Sequence, residues 1–377
     1  MKGRVVVAGT GVHPFGRFDD LPVTEMGVRA VSDALADAGN PEFQAAFCAT
    51  VYSGVAAGHK VLGALGKTGM PIVNVEAGCA SGGAALMLAA GAIRAGQYDT
   101  VLVFGIEKMP KGIIRSSFFE PWREQAGLAA TPAYFALRAQ RLMRESGVTK
   151  DHLARVVVKN RANGVDNPMA MFRKPTTTDD VLASRLVCEP LHLHMLCSPN
   201  EGAAAVVLRR AGGKHAGAPV VAAAALRSHL PGSVLGEATP LSGVDDSTIP
   251  PPSTLAAETA YDEAGIGPAD LDVIECQDTD AAREILAYEE LRLCARGEGA
   301  RLVDAGTTLP NGTLPVNVSG GLLSKGEPLG ASALGQVVEI ADQLRERAGT
   351  RQVADARVGL AHTVGRGANA AVIILTR

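Results

Sequence analysis

The chain is poor in aromatic residues, which make up 4% of it, with a single tryptophan. A core so short of aromatics packs its helices and strands closely through small side chains. The formal net charge of −3 gives no electrostatic footprint for nucleic acid. No C-x-x-C pair occurs among the six cysteines. A disulfide framework or a zinc site has no spacing to rest on. Cys48, Cys188, Cys197, Cys276 and Cys294 read as buried, reduced thiols of a cytoplasmic protein. No apolar stretch is long and pure enough to span a bilayer, and the short Val5–Val7 run that stops at Gly9 does not read as a signal peptide. Nucleic-acid and membrane partners are thereby set aside. Local basic patches still leave room for a phosphorylated small molecule.

What is abundant is small and apolar. The 377 residues are 47% hydrophobic and include 43 glycines. That length suits two similar halves rather than one ordinary core. RVVVAG (4–9) reads as a buried strand. VTEMGVRAVSDALADAGN has helical spacing, with Thr24 as N-cap and Gly39-Asn40 as the stop. FCATVYSG and MPIVNVEAG read as strands. SGGAALMLAAGAIRAGQ reads as a helix buried on most sides, and YDTVLVFGIEKM as a strand with a turn at Gly105. This alternation predicts an α/β fold with a layered sheet.

From about residue 110 to 200 the character changes. SSFFEPW, TPAYFALRAQRLMRESG and NPMAMFRKPTTTDDVLASRLV concentrate Met, Phe, Arg and the lone Trp122. This stretch reads as an inserted helical and loop region that covers a site. EGAAAVVLRR returns to strand. The second half then repeats the outline of the first. PVVAAAALRSH, DLDVIECQD and RVGLAHTVGRGANAAVIILT read as strands, and PPSTLAAETAYDEAG and DAAREILAYEELRLC as helices. VNVEAGCASGG in the first half is echoed by VNVSGGLLSKG in the second, each a strand running through a Gly loop to an Ala-rich helix. The echo predicts two halves about a pseudo-twofold axis.

Within the first echo lies Cys79. A thiolate is the nucleophilic form of cysteine, and a helix N-terminus favours an anion through its partial positive charge and free N–H groups. Flanking glycines let the backbone approach a carbonyl carbon and present N–H donors to an oxyanion. On the residues alone, Cys79 reads equally as core thiol or nucleophile. Glu327 alone reads as a solvent-facing acid at a helix start.

Taken together, NVEAGCASGGAAL, VLVFGIEKM, FRKPTTTDDVLASRLVCEPLHLHMLCSPNEGAAAVVL, IECQDTDAAREILAYEELRLC, VNVSGGLLSKGEPLGASALGQ and AHTVGRGANAAVIIL resemble the thiolase superfamily, specifically its sterol-carrier-protein-type, lipid-transfer-protein-like branch. These segments follow the family's order over nearly the whole chain. The resemblance implies a thiolase fold of two fused βαβαβαββ halves in five layers (αβαβα) with an inserted loop domain. Residues 1–110 with 200–212 would form the N-terminal half, 111–199 the loop domain and 213–377 the C-terminal half. It also implies a homodimer, coenzyme A thioesters as substrates, no permanently bound cofactor and no metal. Branch members often work with a small zinc-ribbon/OB-fold (DUF35) subunit.

The same resemblance makes Cys79 the nucleophile and exposes departures. The branch usually carries His-Asp-Cys where this chain has Gln277-Asp278-Thr279, and Gly-His-Pro where it has Gly326-Glu327-Pro328. In the family the second histidine activates the cysteine, the first helps bind the thioester oxygen, and the extra cysteine shuttles a proton at the α-carbon. Gln277 can still donate an N–H to an oxyanion. Thr279 does not titrate near neutral pH. An ionised Glu327 would raise the Cys79 pKa by repulsion, but if burial lifts its own pKa it can act as acid and base. The 3-hydroxy-3-methylglutaryl-CoA synthases, distant relatives, also pair a cysteine with a glutamate.

Asp278 is expected to order its turn. His362, in AHTVGRG with Gly365, is expected to be structural or to lie behind the site. His192 and His194 read as loop residues near it. Ser319, Gly320 and Gly321 are expected to line the substrate tunnel. Arg173 and Lys174 read equally as a site for CoA phosphates and as a solvated basic pair. The Met/Phe-rich insert suggests an apolar or aromatic acyl group. The activity implied is acyl transfer that makes or cleaves a carbon–carbon bond. Two alternatives stand beside it: a noncovalent aldolase-like lyase, against which the presence of Cys79 argues, and a non-catalytic CoA-ester-binding subunit, against which the intact AGCASGG loop argues.

Overall fold

The computed structural model describes residues 3–112, 122, 125, 131–212, 217–231, 249–365 and 369–377. Residues 116–121 of the SSFFEPW cover and residues 366–368 of the last glycine loop lie outside them.

In chain order the first part holds β1 (Val5–Gly16), α1 (Val23–Asp37), β2 (Ala45–Ala49), α2 (Ala57–Ala64), β3 (Ile72–Val75), α3 (Ser81–Arg94) and β4 (Thr100–Lys108). Helices α4 (Thr131–Ser146), α5 (Lys150–Gly164) and α6 (Thr178–Ala183) follow, with the short hairpin β5 (Leu186–Cys188) and β6 (Leu191–His192). Then come β7 (Glu201–Arg210), β8 (Val220–Ser228), α7 (Pro252–Ala264), β9 (Val273–Cys276), α8 (Ala281–Glu290), α9 (Gly299–Asp304), α10 (Gly321–Lys325), α11 (Leu329–Leu344), β10 (Val358–Gly365) and β11 (Asn369–Thr376).

The main strands run in the order β3-β2-β4-β7-β1-β8-β11-β10-β9. The β1/β8 junction, where Val6 faces Val220, divides the order into five strands and four. On one side β1/β7 and β7/β4 are antiparallel, while β4/β2 and β2/β3 are parallel. On the other side β8/β11 and β11/β10 are antiparallel and β10/β9 is parallel, with a parallel bridge from Ile274 to Val316 where the echo predicts a further strand.

Alternation along the strands builds the layers, because successive side chains leave a strand on opposite faces. Ala204, Val206 and Leu208 of β7 and Ala371, Ile373 and Leu375 of β11 point into a central core with α3 and α11. The intervening Ala203, Ala205 and Val207 face an outer core with α1 and α2. Ala370, Val372 and Ile374 face the opposite outer core with α7 and α8. The result is the expected αβαβα stack. Its middle helices approach closely through small residues: a Cβ on Gly82 would meet Leu334 and Ala333, and one on Gly83 would meet Ala371 at 2.5 Å. Among the described residues no helix is long and apolar enough to cross a membrane.

Several local expectations change. Helix α1 starts one residue before Thr24. Extended Pro22 is its cap, and the Pro22 carbonyl accepts the Glu25 and Met26 N–H groups. Gly105 is no turn, since β4 runs straight through it. It is glycine because the Gly330 carbonyl of α11 occupies the space of a Cβ. The FCATVYSG strand stops at Ala49, where the buried Glu107 carboxylate takes the Val51 and Tyr52 N–H groups at 2.8 and 2.9 Å and draws the chain into a loop. The VNV strand of the second half is reduced to a bridge by Asn317, whose φ is +56° and whose amide caps Cys276 N and Glu284.

Candidate active site

The loop before α3 is a tight turn. Gly78 has φ +59°, and Ser81 Oγ donates to the Gly78 carbonyl at 2.5 Å while accepting the Ala77 N–H at 2.8 Å. Cys79 therefore sits immediately ahead of Ala80, the N-cap of α3, at the helix end whose partial positive charge favours an anion. Its side chain is buried against Met109 and Leu329, with Val51 alongside. Gly365, at the end of β10, must be glycine because a Cβ there would overlap the Ala77 carbonyl. The last strand pair thus braces the Cys79 loop.

Two residues before Leu329 comes Glu327, only 5% exposed. Its Oε1 accepts Gln277 Nε2 at 2.7 Å and its Oε2 accepts the Cys197 thiol at 3.4 Å. Its N–H donates to the Ser198 carbonyl at 2.9 Å. Gln277 is held in turn by Val364 N–H, which donates to its Oε1. Gln277 and Glu327 are thus brought together from distant parts of the chain, and Cys79 packs with Leu329, two residues beyond Glu327. Glu327 lies in the interior and not at the solvent-facing helix start that its local sequence suggested.

By sequence Cys197 is one more reduced core thiol. The structure places it in the site, with its N–H on the Thr279 carbonyl at 2.9 Å. No motif or spacing signals this, because the contacts come from segments far apart in sequence. The residue keeps some exposed surface, but its sulfur is enclosed by protein. Burial first, then the Glu327 charge, push its pKa well above the usual thiol range.

Beneath these groups lies a buried polar frame. Asp278 accepts Leu322 N–H at 2.6 Å, Leu323 N–H at 3.1 Å and Asn160 Nδ2 at 2.8 Å, tying the start of α10 to the loop after β9. Burial, then Glu284, push its pKa up, and the backbone N–H donors oppose them. Gly321, at φ +58°, leaves room for that carboxylate. Ser319 donates through both N–H and Oγ to Glu275, at 2.9 and 2.5 Å, and Lys325 pairs with the same carboxylate at 3.2 Å. Gly320, at φ +97°, packs against Gly164 and Ser324. Ser319, Gly320 and Gly321 are thus buried parts of this frame. Thr279 Oγ1 lies 3.3 Å from Asp280, which is paired with Arg138.

His362 is fully buried on the outer face of β10, its Nε2 3.0 Å from Ser253 Oγ, beside the Arg283–Glu290 pair. Burial, then Arg283, lower its pKa to about 3. Arg173 and Lys174 are exposed, and Arg173 Nε donates to the Val165 carbonyl at 3.2 Å. His192 Nδ1 lies 2.7 Å from the Ser184 carbonyl. His194 is in the same loop, its pKa lowered by burial and then by Arg161. Among the described residues no group of three or more His, Cys, Asp or Glu is placed to hold a metal ion.

Residues 5–211 match the family described as "Thiolase, N-terminal domain" and residues 237–377 match "Thiolase C-terminal domain-like". The chain belongs to the thiolase superfamily. Within it, the relatives place the chain in the sterol-carrier-protein-type branch. It is 34% identical to sterol carrier protein 2 of Bos taurus over 97% of this chain and 71% of that one. It is 35% identical to an acetyl-CoA acetyltransferase of Methanothermobacter thermautotrophicus over 99% of both. A benzoylsuccinyl-CoA thiolase subunit, BbsB, of Thauera aromatica is 34% identical over 98% of this chain and 97% of that one. A solved Ltp2-ChsH2(DUF35) aldolase superposes with a TM-score of 0.85 at 22% identity, covering 99% of this chain and 98% of that one. At that identity the likeness speaks for the fold. In this chain of the thiolase superfamily, Gln277 Nε2 and Glu327 Oε1 meet at 2.7 Å.

Proposed function

We propose that this protein is an acyl-CoA C-acyltransferase of the thiolase type that works through an acyl-Cys79 intermediate, with Glu327 as acid and base. The observation that carries the reading is a helix-N-terminal cysteine packed with Leu329, two residues from a buried Glu327 that is paired with Gln277. Cys79 gives its proton to Glu327 and attacks the thioester carbonyl. A Cys79–acyl bond forms, and the CoA sulfur leaves with the proton that Glu327 returns. Glu327 then takes a proton from the α-carbon of a second acyl-CoA. The resulting carbanion attacks the acyl group, forming the carbon–carbon bond and releasing the Cys79 sulfur. Thiolytic cleavage is the reverse. One N–H of the Gln277 amide is held by Glu327, and the second serves a developing oxyanion together with backbone N–H groups.

In this reading residues 1–110 with 200–212, and 213–377, are the two halves, and 111–199 is the loop domain over the site. Coenzyme A thioesters are the substrates, Arg173 and Lys174 meet CoA phosphates, and Ser319, Gly320 and Gly321 shape the tunnel from behind. A homodimer forms through the open edge of the sheet at β3, where Val73 is exposed. A DUF35-type subunit is a second partner. We place the protein in the cytoplasm, where its cysteines, none of them in a disulfide, stay reduced.

The test is release of free CoA thiol on mixing the protein with acyl-CoA esters, with Cys79→Ser alongside. A burst from the wild type alone supports the acyl-transfer reading. Turnover that survives Cys79→Ser moves the assignment to a noncovalent lyase. Saturable ester binding without CoA release or turnover moves it to a binding subunit.

A further inference from the structure

Two donors to the Glu327 carboxylate, one on each oxygen, come from different segments of the chain. Gln277 explains one. The other is a second thiol, and it is held with care. The segment Leu196–Asn200 runs between the loop after β9 and the chain leading to Glu327. On one side Leu196 bridges to Asp280, and Cys197 N–H donates to Thr279. On the other side Pro199 bridges to Glu327, and Asn200 Nδ2 donates to the Lys325 carbonyl at 2.8 Å. Arg17 Nη2 donates to the Pro199 carbonyl. The Cys197 sulfur is thereby fixed within 3.4 Å of Glu327 Oε2 by its own backbone.

We infer that Cys197 is a positioning residue for the acyl-transfer reaction: its S–H donates to Glu327, fixes the carboxylate towards Cys79 and favours its ionised, basic form. The inference rests on the proposed role of Glu327. A hydrogen bond given to a carboxylate stabilises its charged state. A thiol can give one only while protonated, and the enclosed sulfur meets that condition, with Glu327, Asp278 and Cys79 all acting to keep its proton on. The flanking cations are already paired, Lys325 with Glu275 and Arg138 with Asp280. The two cysteines thus divide the work. Cys79, at the helix N-terminus, is the nucleophile. Cys197, among carboxylates, stays a neutral donor and is not itself acylated.

The experiment follows the rate of Cys79 acylation against pH by intact mass, in full-length wild type, Cys197→Ala and Cys197→Ser. A hydrogen bond to a charged group corresponds to about a 10-fold effect or more, so Cys197→Ala is expected to slow acylation about 10-fold and to move the acid limb of the profile up by about one pH unit. Cys197→Ser keeps a donor and is expected to hold the limb in place. An unchanged limb in Cys197→Ala overturns the inference, as does equal impairment of both variants with no shift. A wild type that never acylates defeats the parent reading instead. A second arm needs no variant: at pH 8, iodoacetamide is expected to modify Cys79 and leave Cys197 intact. Modification of Cys197 at a rate comparable to Cys79 overturns the inference whether or not acylation occurs and however the variants fold.

Discussion

His362 offers a sharp check on the division between catalysis and framework. A histidine that titrates near neutral pH would be a candidate proton carrier, but this one is buried beside Arg283 and its pKa falls to about 3. The folded state therefore holds it neutral throughout the working range. The unfolded chain titrates it at about 6.5. Between those values the unfolded state binds more protons, so stability is present above about pH 6.5 and is lost as pH falls towards 3. Going from pH 7 to pH 5 protonates the group almost only in the unfolded chain, and the linkage amounts to about 2 kcal/mol. The assay is urea unfolding at both pH values for wild type and His362→Gln, read as the change in unfolding free energy between them. The wild type is expected to lose about 2 kcal/mol more than the variant over that interval. Equal losses would refute the burial argument. A variant that instead shifts the pH profile of catalysis and leaves stability unchanged would return His362 to the list of proton carriers.

Glu327→Gln is expected to lower the acylation rate by about 10²–10⁴-fold while leaving ester affinity largely intact, as stopped-flow acylation and equilibrium binding would show. Gly365→Ala puts a methyl group into the Ala77 carbonyl and should displace the Cys79 loop. Acylation is expected to fall more than stability, and wild-type acylation would contradict the bracing role. Lys159→Met strips the buried Glu284 of its ion-pair partner, which lies at 2.5 Å, and should destabilise the fold by about 3–5 kcal/mol in urea titration. Arg173→Ala with Lys174→Ala is expected to raise KM for acyl-CoA with kcat unchanged and to weaken its salt dependence. An unaltered KM would leave the pair as a solvated surface feature.

The layered α/β architecture was legible because its signals are local. Alternation in β7 and β11, and small residues along α3 and α11, are properties of short windows. Gly105 misled because its need is set by a carbonyl from α11 and not by its neighbours in sequence. Thr24 misled because Pro22 already supplies an extended cap two residues earlier. The Cys79 loop could be read from its glycines and the helix behind it. Glu327 could be placed only through the family resemblance, since its burial depends on chain from β9 and from the Leu196–Asn200 segment. Cys197 could not be found at all, because every contact that makes it part of the site crosses a long sequence separation.

The most direct test of the account is the intact mass of the purified protein after exposure to a panel of acyl-CoA esters, with Cys79→Ser in parallel. A single acyl adduct on the wild type, mapped to Cys79 and absent from Cys79→Ser, is predicted, and the ester that labels fastest names the preferred acyl group. No adduct from any ester, even with a DUF35-type partner present, or an adduct that persists in Cys79→Ser, would contradict it.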